Sequence, residues 1–228
     1  DQLREILLTL VLVMTRLPGV GADTVAGGTG TDTLIYTGNA TAANIEGSGT
    51  GTSTGLVINL GATALTNANV LGTTTQSLAG SLSSVASGQV AYVFGASAPT
   101  NSSVVDTVTD IENVTVADGI NYIVGSDGAN VIIGGSGADT IVSGKGNDTV
   151  TPGLGIDSVT TGAGTDTISL TGIAAVANRV TVTDFATTTD IIGIDVDNTT
   201  VATAAGGTVA IEDEATAANN GNGITYDL

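Results

Sequence analysis

Between residues 125 and 169 the chain divides without a gap into five nonapeptides, GSDGANVII, GGSGADTIV, SGKGNDTVT, PGLGIDSVT and TGAGTDTIS. Position four is always glycine (Gly128, Gly137, Gly146, Gly155, Gly164) and position six always Asn or Asp (Asn130, Asp139, Asp148, Asp157, Asp166). Position eight is always aliphatic (Ile132, Ile141, Val150, Val159, Ile168). A unit this short cannot enclose its own apolar side chain, so it must stack on copies of itself, which predicts a solenoid. In each unit the first six residues are turn formers, and the last three set one aliphatic between two outward residues, as in a short strand. A flexible Gly/Thr linker is the competing reading, but it gives no reason for aliphatics to hold strict phase.

The repeats resemble the RTX (repeats-in-toxin) nonapeptide G-G-x-G-x-D-x-U-x, in which U is aliphatic. The resemblance implies an all-β chain, a parallel β-roll or β-solenoid with calcium in its turns. It also implies that two nonapeptides complete one coil, so that residues eighteen apart stack. On that register one edge carries Asn130, Asp148 and Asp166, and the other carries Asp139 and Asp157.

The chemistry of those edges points the same way. Strands stacked about 4.7 to 4.9 Å apart bring their carboxylates close enough to repel strongly unless a cation lies between them. The only Lys or Arg in the five repeats is Lys145. Carboxylate and turn-carbonyl oxygens, in a chain without His or Cys, select calcium over zinc or copper. The candidate metal ligands are Asp139, Asp148, Asp157, Asp166 and Asn130, the turn residues Gly134, Gly144, Gly153 and Gly162, and Asp127. Two more nonapeptides in register, PGVGADTVA and GGTGTDTLI at 18–35, add Asp23 and Asp32. On the eighteen-residue register Thr41 follows Asp23 and Met14 precedes Asp32, and neither supplies a carboxylate. These turns therefore bind weakly, or another segment or another chain completes them.

Charge supports a cation partner. The 228 residues carry a formal net charge of −18, with no His or Trp and 3% aromatic residues. Residues 1–105 hold Asp1, Glu5, Asp23, Asp32 and Glu46 against Arg4 and Arg16, a net of −3, so 106–228 carry the other −15. Such acidity argues against nucleic acid and anionic membranes, both of which need basic patches. The apolar run EILLTLVLVMTRL at 5–17 is too short and interrupted to span a bilayer, and reads as a buried helix or strand capping the first coil.

Four regions follow: 1–35, an N-terminal apolar segment with two repeats; 36–124, an irregular β region; 125–169, the array; and 170–228, a C-terminal β cap. Strand patterns recur in the second region at GLVINLGA, QVAYVFGA and VVDTVTDIENVTV. Its last part, with Ile111, Glu112 and Asn113, resembles the lead-in to RTX arrays, and Asp118, Asn121 and Asp127 either extend the ligand edges or sit in a solvated loop. After the array, NRVTVTDFATTTDIIGIDV resembles the segment that closes such rolls, with Asp184, Asp190 and Phe185 as the plug. A cap is physically required, because an open last coil exposes unpaired backbone and an apolar end.

Without His or Cys the chain has no imidazole base, thiol nucleophile or histidine zinc site. Carboxylate pairs exist at Asp195 with Asp197 and Glu212 with Glu214, but aromatic sugar platforms are scarce. The expected protein is not an enzyme. It is a calcium-dependent extracellular or cell-surface structural protein, of surface-layer, filament or adhesin type, that self-assembles as a homo-oligomer or homopolymer and meets cell-surface polysaccharide. The alternative is the secretion and folding module of a larger toxin or hydrolase exported by type I secretion, as the resemblance implies.

Overall fold

In a computed structural model of the chain, the described residues are 11–14, 23–36, 53–66, 77–78, 82–94, 105–171, 179–186, 188–195, 201–204, 209–211 and 225–226. They contain strands and turns and no helix. In chain order the strands are β1 (Val11–Met14), β2 (Thr24–Ala26), β3 (Thr33–Tyr36), β4 (Ser53–Asn59), β5 (Leu65–Thr66), β6 (Ser77–Leu78) and β7 (Ser84–Val85). Then come β8 (Gln89–Phe94), β9 (Val105–Thr109), β10 (Asn113–Val116), β11 (Tyr122–Val124), β12 (Val131–Ile133), β13 (Thr140–Val142) and β14 (Thr149–Thr151). The rest are β15 (Ile156–Thr160), β16 (Thr167–Thr171), β17 (Arg179–Val182), β18 (Ile191–Asp195), β19 (Val201–Ala204), β20 (Val209–Ile211) and β21 (Thr225–Tyr226).

Each nonapeptide of the array contributes one of β12 to β16, and alternate units fall in opposite sheets. One sheet runs β1-β3-β10-β12-β14-β16-β18-β19, and the other β2-β9-β8-β4-β11-β13-β15-β17-β20-β21. Pairing from β11 through β16 is parallel with partners eighteen residues apart, such as Ile132 with Val150 and Ile141 with Val159. The architecture is the parallel β-roll expected from the repeats. The position-eight aliphatics, Ile132, Ile141, Val150, Val159 and Ile168, are fully buried in one core shared by the two sheets. Each contributes about 1.5 to 3 kcal/mol by leaving water.

The turns need glycine for two separate reasons. Gly153 and Gly162 sit at φ +100° and +89°, where an L side chain is strained. A Cβ at either would also lie 1.8 Å from the carbonyl oxygen of the coil before it, Gly135 O or Gly144 O. Coils can approach to strand spacing only because no side chain intervenes.

The second region holds what periodicity does not reveal. Strands β4 and β8 form an antiparallel hairpin inserted between β9 and β11, so that sheet gains two strands where the opposite sheet pairs β10 directly with β12. Leu56, Ile58, Val90 and Tyr92 face the roll core, while Val57, Ala91 and Val93 pack outward with Leu78 and Val85 in a second small core. At the N-terminus, residues 11–14 form a strand parallel to β3. At the far end β17 and β18 extend the roll in parallel, then β19, β20 and β21 pair antiparallel and end it. Phe185 packs half-buried against the main core there. Asp197, Glu212 and Glu214 lie outside the described residues. No helix among the described residues is long and apolar enough to cross a membrane.

Candidate metal centre

Position six of each nonapeptide immediately precedes its strand or, at Asp157, is the strand's second residue, so strand stacking builds two columns of position-six residues. In one column, Asn121 is followed by Asp139 and Asp157. In the other, Asp32, Glu112, Asn130, Asp148, Asp166 and Asp190 lie in the strand order β3-β10-β12-β14-β16-β18.

At Asp139, Asp148, Asp157 and Asp166 one oxygen is tied to a backbone N–H, whereas Asp190 is held by both, its Oδ2 accepting the Ala186 N–H at 2.8 Å. The Oδ1 of Asp139 accepts the Asn121 backbone N–H at 2.8 Å, and that of Asp157 accepts the Asp139 N–H at 2.9 Å. On the other edge Asp148 accepts from Asn130 at 2.8 Å, Asp166 from Asp148 at 2.9 Å and Asp190 from Asp166 at 3.2 Å. The second oxygen, Oδ2, of Asp139, Asp148, Asp157 and Asp166 is buried and has no donor. Four buried carboxylates with an unused oxygen are costly as anions unless a cation faces them.

The protonation energetics carry the same message. Burial pushes the Asp139 carboxyl up to about 7, opposed by the Asn121 N–H and reinforced by the charge of Asp157. Burial likewise raises Asp148, Asp157 and Asp166, against their backbone N–H bonds, with Asp148, Asp190 and Asp184 adding repulsion at Asp166. The Ser143 hydroxyl lowers Asp148 somewhat, but it is hydrogen-bonded to the Thr161 carbonyl at 2.7 Å and leaves Asp148 Oδ2 without a donor.

Neither cationic side chain among the described residues supplies a counter-charge there. Lys145 pairs at 2.6 Å with Asp127, both side chains about two-thirds exposed, a contact worth at most about 1 kcal/mol. Arg179 is exposed on β17. A hard cation fits the donor set, and the space beside Gly134 shows why. A Cβ at Gly134 would lie 2.8 Å from Asp139 Oδ2 and 2.4 Å from the Pro152 carbonyl oxygen. A carboxylate and a backbone carbonyl thus face a space that only glycine leaves open, with the oxygen chemistry calcium takes.

The remaining candidates are placed unevenly. Gly134 borders Asp139, and its carbonyl also accepts the Asn121 amide at 3.4 Å. Gly144, Gly153 and Gly162 lie in the turns at positive φ. The Gly144 carbonyl accepts the Ala163 N–H across the coil, and the Gly162 N–H donates to Asp184 Oδ2 at 2.7 Å. Asn130 stands in its column, but its Oδ1 accepts the Ser126 N–H of its own turn at 2.9 Å. Asp127 is exposed, outside the columns. Asp118 accepts the Ser136 hydroxyl on the turn surface.

The turns of Asp23 and Asp32 find their partners far along the same chain. Asp106 Oδ1 accepts the Asp23 N–H at 3.0 Å across 83 residues, and Glu112 Oε2 accepts the Asp32 N–H at 2.8 Å across 80. Another segment of the same chain thus lies against these turns and accepts their backbone N–H groups. Spacing by eighteen misses Asp106 and Glu112, because the residues between them and the first repeats are not periodic. Asn121 and Asp190 were named in the sequence, and the visible sign is that each directly precedes a short apolar strand. The Pro152 carbonyl carried no sequence signal.

The family model of the RTX calcium-binding nonapeptide repeat matches this chain in four copies, over residues 19–35, 116–150 and 153–171. No curated protein matches the chain. The matched segments cover β2, β3 and the coils from β11 to β16, where the columns of buried carboxylates stand. Over these segments the chain thus carries RTX calcium-binding nonapeptide repeats, whose kind binds calcium ions, and its array folds as a parallel β-roll.

Proposed function

We propose that the chain is a calcium-dependent structural protein of the cell exterior, folded by ions held along the two columns of Asp139 and Asp157, and of Asp148 and Asp166. The observation that carries this reading is the set of four buried Oδ2 atoms without donors in register along the roll. Calcium supplies the positive charge that these oxygens lack, and the chain's own residues supply shape. Backbone N–H groups fix each Oδ1, and the glycine turns keep side chains out of the space between coils. Metal binding of this kind is folding free energy, because the unfolded chain has no such site. A surface-layer, filament or adhesin role is supported by the Thr-, Ala- and Gly-rich, aromatic-poor composition and the absence of His and Cys, and contact with cell-surface polysaccharide belongs to the same reading.

One observation favours the second reading, a secretion and folding module of a larger exported protein. An intermolecular calcium joint at Asp23 and Asp32 requires turns left open for another chain, whereas the N–H of each is bonded to a carboxylate of the same chain, Asp106 and Glu112. Far-UV circular dichroism and light scattering over one calcium titration separate the outcomes. Coil in chelator and β structure at millimolar calcium are expected, with growth in particle size if the protein assembles. A native β signal in chelator with metal verified as absent overturns the calcium reading. A monomer at ten millimolar calcium, about tenfold above the weakest usual extracellular affinities, gives the decision to the module.

A further inference from the structure

Position six is not uniform along the columns. At Asp139, Asp148, Asp157 and Asp166 an oxygen is buried without a donor, whereas at Asn121 and Asn130 every side-chain polar atom is used. Asn121 Oδ1 accepts the Leu56 N–H at 3.0 Å, and its amide nitrogen lies 3.0 Å from Asp139 Oδ1, 3.2 Å from Gly119 O and 3.4 Å from Gly134 O. The Asn130 amide nitrogen donates to Glu112 O at 2.5 Å and Ser126 Oγ at 2.9 Å. An amide NH2 presents two positive hydrogens to surrounding oxygens. At these two positions an amide nitrogen takes the place of the donorless Oδ2 and is bonded to neighbouring oxygens of the chain.

Asn121 also marks where the roll meets the inserted hairpin, since β11 pairs with β4, whereas Asn130 heads β12, which pairs with β10 in the opposite sheet. On that side the strands have a core on both faces, through Leu56, Ile58, Tyr92 and the outward Val57. The acids there also have donors from protein. Asp106 accepts the Asp23 N–H and, at 3.1 Å, the Tyr36 hydroxyl, while Glu112 accepts the Asp32 N–H.

We propose that the calcium columns begin at Asp139 and Asp148, with the amides of Asn121 and Asn130 standing in for the ion at the turns before them. The roll is then divided into two parts. The block containing β4 and β8 to β12 folds without calcium and is the template. The coils of β13 to β16 fold onto it only when calcium binds. This inference rests on the calcium reading above, with one change to the sequence expectation: Asn130 is an ion substitute and not a ligand.

Hydrogen–deuterium exchange by mass spectrometry on the whole chain, metal-depleted in chelator and again in millimolar calcium at neutral pH, tests both. The expected result is slow exchange in 53–59, 89–94 and 105–124 under both conditions, and fast exchange in 140–171 that becomes slow only with calcium. Fast exchange of 105–124 in chelator overturns the proposal. Slow exchange of 140–171 in chelator overturns the calcium reading itself and the proposal with it. A second measurement is bound calcium per chain at saturation. Asn130→Asp is expected to add one ion and to weaken protection of 113–116 in chelator; an unchanged ion count overturns the assignment of Asn130.

Discussion

Replacing Asp139 by Asn separates the cost of the buried charge from the fold that holds it. Burial moves this carboxyl from 3.8 to about 7, so between those values the folded, calcium-free chain binds more protons than the unfolded chain. Stability without calcium therefore falls as pH rises through that window and is lowest above it, opposite to the usual salt-bridged carboxylate. The raised Asp148, Asp157 and Asp166 act in the same direction. At about 1.4 kcal/mol per unit, the Asp139 shift alone corresponds to roughly 4 kcal/mol above pH 7. Asp139→Asn removes that charge, keeps Oδ1 as acceptor for Asn121, and offers its new N–H2 to the Pro152 carbonyl across the Gly134 space. Allowing about 1 to 3 kcal/mol for an imperfectly bonded amide, the calcium-free variant should gain about 1 to 3 kcal/mol at pH 8 and lose calcium stabilisation. Far-UV circular dichroism of metal-depleted protein from pH 8 to pH 5, above the sequence pI of about 4.1, reads this directly. The parent should gain β signal as pH falls, and the variant's midpoint should lie at higher pH. A parent signal flat across that range, or a variant no more structured than the parent at pH 8, refutes the argument.

The other perturbations test register, turns and core. Asp148→Ala removes the acceptor of the Asn130 N–H and a candidate ligand between two neighbours, so the calcium midpoint in a dichroism titration should rise several-fold, and more than for Asn130→Ala; equal midpoints would contradict the stacking. Gly153→Ala meets both positive φ and the Gly135 carbonyl, and should cost more than the ~1 kcal/mol of a left-handed residue alone, seen as a higher calcium midpoint, whereas exposed Gly128, which has only the Ser126 hydroxyl within 4 Å, should tolerate Ala nearly unchanged. Ile141→Ala empties a fully buried position and should lose about 2 to 5 kcal/mol in a urea melt at saturating calcium, while Thr140→Ala on the outer face should lose well under half of that.

The sequence by itself determined the array. Turn glycines, the acid or amide at position six and the aliphatic at position eight are local rules, and a period of nine read in pairs makes residues eighteen apart neighbours. That is why the two columns from Asn130 to Asp166 and the core from Ile132 to Ile168 were legible before any coordinates. Tertiary structure decided the rest. The pairing of Asp23 with Asp106 and of Asp32 with Glu112 closes loops of about eighty residues, whose partners are chosen by which strands find a place in the two sheets and by no spacing along the chain. The insertion of β4 and β8 beside β11 is of the same kind: both strands could be read as strands, but their partners depend on apolar faces at Leu56, Val57 and Tyr92 that are covered only when the roll and the outer segment close around them. The use of each polar atom was also hidden, because Asn130 and Asp148 occupy the same repeat position, and only the hydrogen bonds around them separate a satisfied amide from a carboxylate with an oxygen to give.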